Sequence, residues 1–127
     1  MINKIIVHCS ASPQGRHDDA ATIHRWHVNR GFDGIGYHYV VLENGNVQHG
    51  RPEYWQGAHA AGHNRDSLGI CLIGQGGDAT PEQLNALRGL ITQARHKYGR
   101  HIDVIGHCDV NPAKTCPGFD VKTWLNE

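Results

Sequence analysis

The chain has 127 residues, 39% of them apolar and 19% charged, which excludes a disordered or fibrous protein and suits one domain over 1–127. Twelve basic side chains balance twelve acidic ones, so the basic excess of a nucleic-acid or membrane-surface binder is missing. No apolar run approaches the roughly 18 residues of a spanning helix, which excludes membrane insertion.

Lys4 to Cys9 reads as a buried strand, rich in β-branched residues through Ile5, Ile6 and Val7. The apolar stretch breaks at His8, too early for a secretory signal core, so synthesis in a cytoplasm is expected. After a loop at Ser10–Gly15, a helix is predicted from Ala20 to Arg30, with Ile23 and Trp26 on one face and Gly31 at its end. A hairpin follows, Tyr37–Leu42 and Asn46–His49, turning on the two-residue signal Asn44-Gly45. Arg51 to Asp66 has no period and is a long loop, a kind of segment that is usually functional. Ser67 to Gly74 is a second buried strand. Thr80-Pro81-Glu82-Gln83 is a capping box that opens a long helix with Leu84, Leu87, Ile91, Ala94 and Tyr98 on one face, ended by Gly99. A short strand at Asp103–Gly106, a proline-interrupted loop at Asn111–Gly118 and a last helix capped by Asp120 complete the chain. The order implies an α/β domain, a mixed central sheet flanked by helices.

Eleven histidines and four cysteines are the material for chemistry. Without a secretory signal the cysteines are expected as free thiols, and no pair has C-x-x-C spacing, so a metal site must assemble from distant segments. His8 and His107 each close a strand, and Cys116 lies on the proline-stiffened loop nine residues after His107. Two imidazoles and a thiolate bind zinc and leave a fourth position open for a water. If His8 and His107 face such a site, strand alternation turns Cys9 and Cys108 away from it, and Cys71 reads as another core residue. Spacing alone leaves this trio as one of several histidine combinations. The pairs His59/His63, His24/His27 and His96/His101 lack a third ligand and read mostly as surface residues.

Taken together, His8 at a strand end, Gly36-Tyr37-His38 opening a hairpin, His59-Ala60 in the long loop, and His107 followed by Lys114-Thr115-Cys116-Pro117 resemble the zinc-dependent N-acetylmuramoyl-L-alanine amidases, in particular the T-odd phage lysozymes. The peptidoglycan recognition proteins share that fold. The similarity runs from about Lys4 to Trp124.

The resemblance implies one Zn2+ per chain on His8, His107 and Cys116, with Tyr37 and Lys114 as the catalytic pair. Zinc would polarise the scissile carbonyl and activate water, Lys114 would stabilise the developing oxyanion, and Tyr37 would hydrogen-bond the water or the leaving nitrogen. Bacterial recycling amidases carry a glutamate where this chain has Cys71, so no carboxylate base stands there. In the long loop, Trp55, His59, His63, Asn64 and Arg65 offer an aromatic platform and hydrogen-bonding groups for sugar and peptide, with His59 beside the metal. His59, Trp55 and Asn64 are the expected substrate contacts.

The implied activity is hydrolysis of the bond between N-acetylmuramic acid and L-alanine in peptidoglycan by a monomeric phage or prophage endolysin, made in the host cytoplasm and dependent on a holin to reach the wall. A non-catalytic peptidoglycan-binding module is the alternative, against which the intact ligand trio argues. T-odd lysozymes also inhibit their phage RNA polymerase through an N-terminal extension. Only three residues precede Lys4 here, so inhibition is not expected.

Overall fold

A computed structural model describes residues 1–127. Its strands are β1 (Lys4–Cys9), β2 (Tyr39–Val41), β3 (Val47–His49), β4 (Ser67–Leu72) and β5 (Asp103–Gly106). Its helices are α1 (Ala20–Asn29), α2 (Pro81–Tyr98), α3 (His107–Val110) and α4 (Val121–Leu125). The sheet order is β3-β2-β4-β1-β5, with only the β2–β3 pair antiparallel. This is the mixed sheet expected from the order of elements.

Alternation along the strands decides what each face of the sheet does. Ile5 and Val7 of β1 and Leu68, Ile70 and Leu72 of β4 turn to one side, where they pack with Leu87, Leu90, Ile91 and Ala94 of α2. Each such buried Ile, Val or Leu side chain contributes about 1.5–3 kcal/mol relative to exposure. Cys71 of β4, with Ile73 just beyond it, packs on the other side with Val40 and with Ile23 of α1. His8 is two residues beyond Ile6 on β1 and so shares that second side, only 1% exposed. The register sets His8 beside Cys71.

α2 starts where its capping box predicts. Gln83 N–H donates to Thr80 Oγ1 at 3.1 Å, and Thr80 N–H donates to Gln83 Oε1 at 2.9 Å. The Gln83 amide also donates to the carbonyls of Val41 and Ile73 at 3.1 and 2.8 Å, so a fully buried polar side chain ties the helix to the ends of β2 and β4.

Two local expectations are corrected. The hairpin turn has three residues, Glu43 to Gly45: Leu42 N–H donates to Asn46 O, and Gly45 N–H donates to Leu42 O. Gly45, at φ 90°, closes this longer loop in the left-handed conformation that three-residue hairpins use, whereas two-residue hairpins use primed turns. The chain after β5 does not run directly into a loop, because His107 opens the helical turn α3, stabilised by Gly106 N–H donating to Asp109 Oδ2 at 2.8 Å.

Candidate active site

β1, β4 and β5 run parallel, so their C-terminal ends lie together at one end of the sheet, the usual location of ligand crevices in open α/β sheets. A cavity of about 480 Å³ opens there, and His8, Tyr37, His59, His107, Lys114 and Cys116 all line it. His8 and His107 face each other with their Nδ1 atoms 3.1 Å apart. On the other edge of the His8 ring, Nε2 lies 2.9 Å from His59 Nδ1. The Tyr37 ring centroid is 5.0 Å from that of His8 and 6.5 Å from that of His59.

Missing side chains make the room. A Cβ on Gly69 would stand 2.6 Å from the His59 ring, and one on Gly57 would meet both His59 and His38. A Cβ on Gly36 would run into the carbonyl of Ala58. The loop over 51–66 therefore packs its backbone directly against the hairpin. Arg51 secures it, donating from Nε to Ile35 O at 2.8 Å and from a terminal nitrogen to Gln56 O at 2.8 Å.

Burial keeps the imidazoles neutral. It lowers the His8 pKa well below the ordinary value, helped by His59 and His107. It also brings His59 down to about 3, with His38 and His107 adding to the effect. His107 is lowered by burial and by the Lys114 ammonium. Burial and the adjacent Cys71 thiol raise the Tyr37 phenol well above its usual range, so it stays an O–H donor. Burial likewise keeps Cys71 a thiol. This chain thus sets a neutral group against Tyr37.

The cysteines differ from the free-thiol expectation. Cys9 and Cys116 form a disulfide across 107 residues, with Cα atoms 5.4 Å apart, while Cys71 and Cys108 are free. Alternation turns Cys9 away from His8 along β1, yet Cys9 is the last residue of the strand, and the loop carrying Cys116 folds over that end. Cys108 is half-buried on α3 and is not a core residue.

Two other site residues lie where the sequence could not place them. Asn64 lines the cavity, but its carboxamide oxygen is committed to the loop, accepting the backbone N–H groups of His59 and Ala60. Trp55 is 57% exposed and lines a separate groove with Tyr54 and Arg65, outside the cavity that holds His8.

Residues read as surface or left aside also contribute. His27 is buried, lines the cavity, and accepts Gly36 N–H on Nδ1 at 2.9 Å, fixing the backbone just ahead of Tyr37. Its i, i+4 spacing from Ile23 was the available signal. His38 accepts Gly69 N–H on Nδ1 at 3.0 Å and donates from Nε2 to Trp55 O at 2.8 Å. Buried Ser67, which no sequence pattern marked, lies under His59.

The model of the N-acetylmuramoyl-L-alanine amidase family matches residues 1–119. The chain belongs to this family. The amidase is 38% identical to the endolysin of Enterobacteria phage T3, an alignment covering 94% of this chain and 83% of that one. It is 37% identical to the endolysin of Escherichia phage T7, again over 94% of this chain and 83% of that one. Among solved structures, the N-acetylmuramoyl-L-alanine amidase LysC from Clostridium intestinale URNW superposes with a TM-score of 0.86 at 32% identity, covering 98% of this chain and 85% of that one. The activity of the amidase is hydrolysis at an N-acetylmuramoyl-L-alanine bond, and its setting is that of a phage endolysin.

The donor set suits zinc in chemistry: two neutral imidazoles present nitrogens to one another, and a cysteine sulfur lines the same cavity. No group of three or more His, Cys, Asp or Glu is arranged to hold a metal ion, and Cys116 is bonded to Cys9. Two imidazoles and a free Cys116 thiolate would supply donor types that zinc takes.

Proposed function

We propose that the amidase cuts the bond between N-acetylmuramic acid and L-alanine with one zinc ion held by His8 and His107 through Nδ1 and by the Cys116 thiolate. The supporting observation is the pair of Nδ1 atoms facing each other at 3.1 Å in the cavity at the strand ends. Zinc, when bound, supplies a Lewis acid for the scissile carbonyl and for an attacking water. The chain's own residues do the rest. Tyr37 keeps its phenolic proton and hydrogen-bonds the reacting amide; Lys114, exposed at the cavity mouth, presents positive charge to the developing oxyanion. The loop over 51–66 walls the cavity with Ala58, His59 and Ala60, leaving a trough for sugar and stem peptide. As an endolysin the protein acts on the host cell wall.

Purified peptidoglycan incubated with the protein under reducing conditions should release new N-terminal L-alanine. A chelator should stop the release and added zinc should restore it. Release that continues after complete chelation would count against the metal assignment, whereas binding to the wall without release would favour a recognition module.

A further inference from the structure

His8 can offer a metal ion its Nδ1 lone pair only if its single proton sits on Nε2, and the structure contains a device that decides this. Ser67, 1% exposed, has one hydroxyl proton and two neighbours that compete for it. The carbonyl of His63 lies 2.6 Å from Ser67 Oγ, and His59 Nε2 lies 3.3 Å from it. The short contact takes the proton, because a carbonyl can only accept. Towards His59 the hydroxyl oxygen can then only accept, which places the His59 proton on Nε2. A neutral imidazole has one N–H, so His59 Nδ1 is a bare acceptor. At 2.9 Å that acceptor draws the proton of His8 onto Nε2 and leaves His8 Nδ1 unprotonated, aimed at His107. Were the serine to donate to His59 instead, every proton along the row would move to the other nitrogen, and His8 Nδ1 would be blocked.

We propose that Ser67 is a positioning residue which, through His59, selects the ring nitrogen at which His8 meets a metal ion. This role rests on His8 and His107 holding zinc. Outer hydrogen bonds of this kind fix the tautomer and orientation of metal-binding histidines, and their loss typically costs 10–100-fold in metal affinity. Gly69 takes part passively, since its missing Cβ lets the His59 ring lie between Ser67 and His8.

The test uses reduced, metal-free protein labelled with 15N in histidine, followed by a zinc titration. The wild type should show His8 and His59 protonated at Nε2. In Ser67→Ala both rings should populate the other tautomer, and zinc affinity should fall about 10–100-fold. Ser67→Thr, which keeps the hydroxyl, should restore both readings and guards against a packing defect in the alanine variant. A wild-type spectrum with His8 protonated at Nδ1 would overturn the proposal. So would zinc affinity in Ser67→Ala equal to that of a zinc-binding wild type. A wild type that takes up no zinc would overturn the metal assignment itself, a failure the titration separates from the other two.

Discussion

The side-chain oxygen of Asn64 accepts the backbone N–H of His59 at 2.8 Å, and it accepts that of Ala60 at the same distance. The six residues from His59 to Asn64 are thereby closed into a ring that presents His59 to His8. Asn64→Ala should cost about 1–3 kcal/mol of stability through two unsatisfied amides. It should also lower kcat/KM on peptidoglycan by at least tenfold, because small misplacements at a site are amplified in rate. Asn64→Asp keeps the acceptor and should retain most of both. Thermal unfolding and turnover measured on the same preparations check this.

Tyr37→Phe removes one hydroxyl and leaves the ring among His8, His27 and His59. The expected loss is about 10²–10³ in kcat, the usual scale for deleting one transition-state donor. Zinc content and folding should hardly change. Near-normal kcat in the variant would remove Tyr37 from the chemistry.

Metal uptake should depend on thiol state. With Cys116 bonded to Cys9, the sulfur has no charge to offer a cation. Zinc binding by protein stripped and kept under a disulfide-forming oxidant should be much weaker than by protein treated with a thiol reductant. Cys9→Ser should bind equally under both conditions, and Cys116→Ser weakly under both. Elemental analysis after desalting reads all the samples.

Glu53 anchors the start of the long loop to the rest of the fold. It accepts the hydroxyls of Tyr39 and Tyr98 and pairs with Lys97 at 3.2 Å. Burial works to raise its carboxyl pKa, but the hydrogen bonds from Tyr39, Tyr98 and Lys97 win and bring it below the usual value. A depressed native pKa contributes stability that is present above the unfolded value of about 4.3 and is lost as pH falls through the native one. Glu53→Gln should therefore destabilise the protein by about 1–3 kcal/mol at pH 7. The gap between wild type and variant should close below about pH 4. Denaturant curves at both pH values test the sign.

Much of this molecule was legible before folding. The strand Lys4–Cys9 and the helix opened by Thr80 and Gln83 announce themselves through local composition, because hydrophobic period and capping chemistry act over a few residues. His8, His107, Tyr37 and Lys114 could be placed in one site because a family pattern supplied the long-range contacts that spacing cannot. What stayed hidden depends on tertiary approach. Nothing near Cys9 indicates that residue 116 will fold back over the strand end, and nothing near Ser67 indicates a ring above it. Trp55 shows the converse: an aromatic in a site-bearing loop looks suitable for substrate, yet the loop's path carries it to a different groove. The polarity of Asn64 suits a substrate contact, yet its side-chain oxygen serves the backbone.

Gly69 sits in the middle of β4, where a side chain would ordinarily add packing. With the His59 ring occupying that space, even alanine would push the imidazole out of the row. Attempts to stabilise the scaffold for use as a lytic reagent should leave this position untouched and look to exposed positions of α2 such as Asn85 and Gln93.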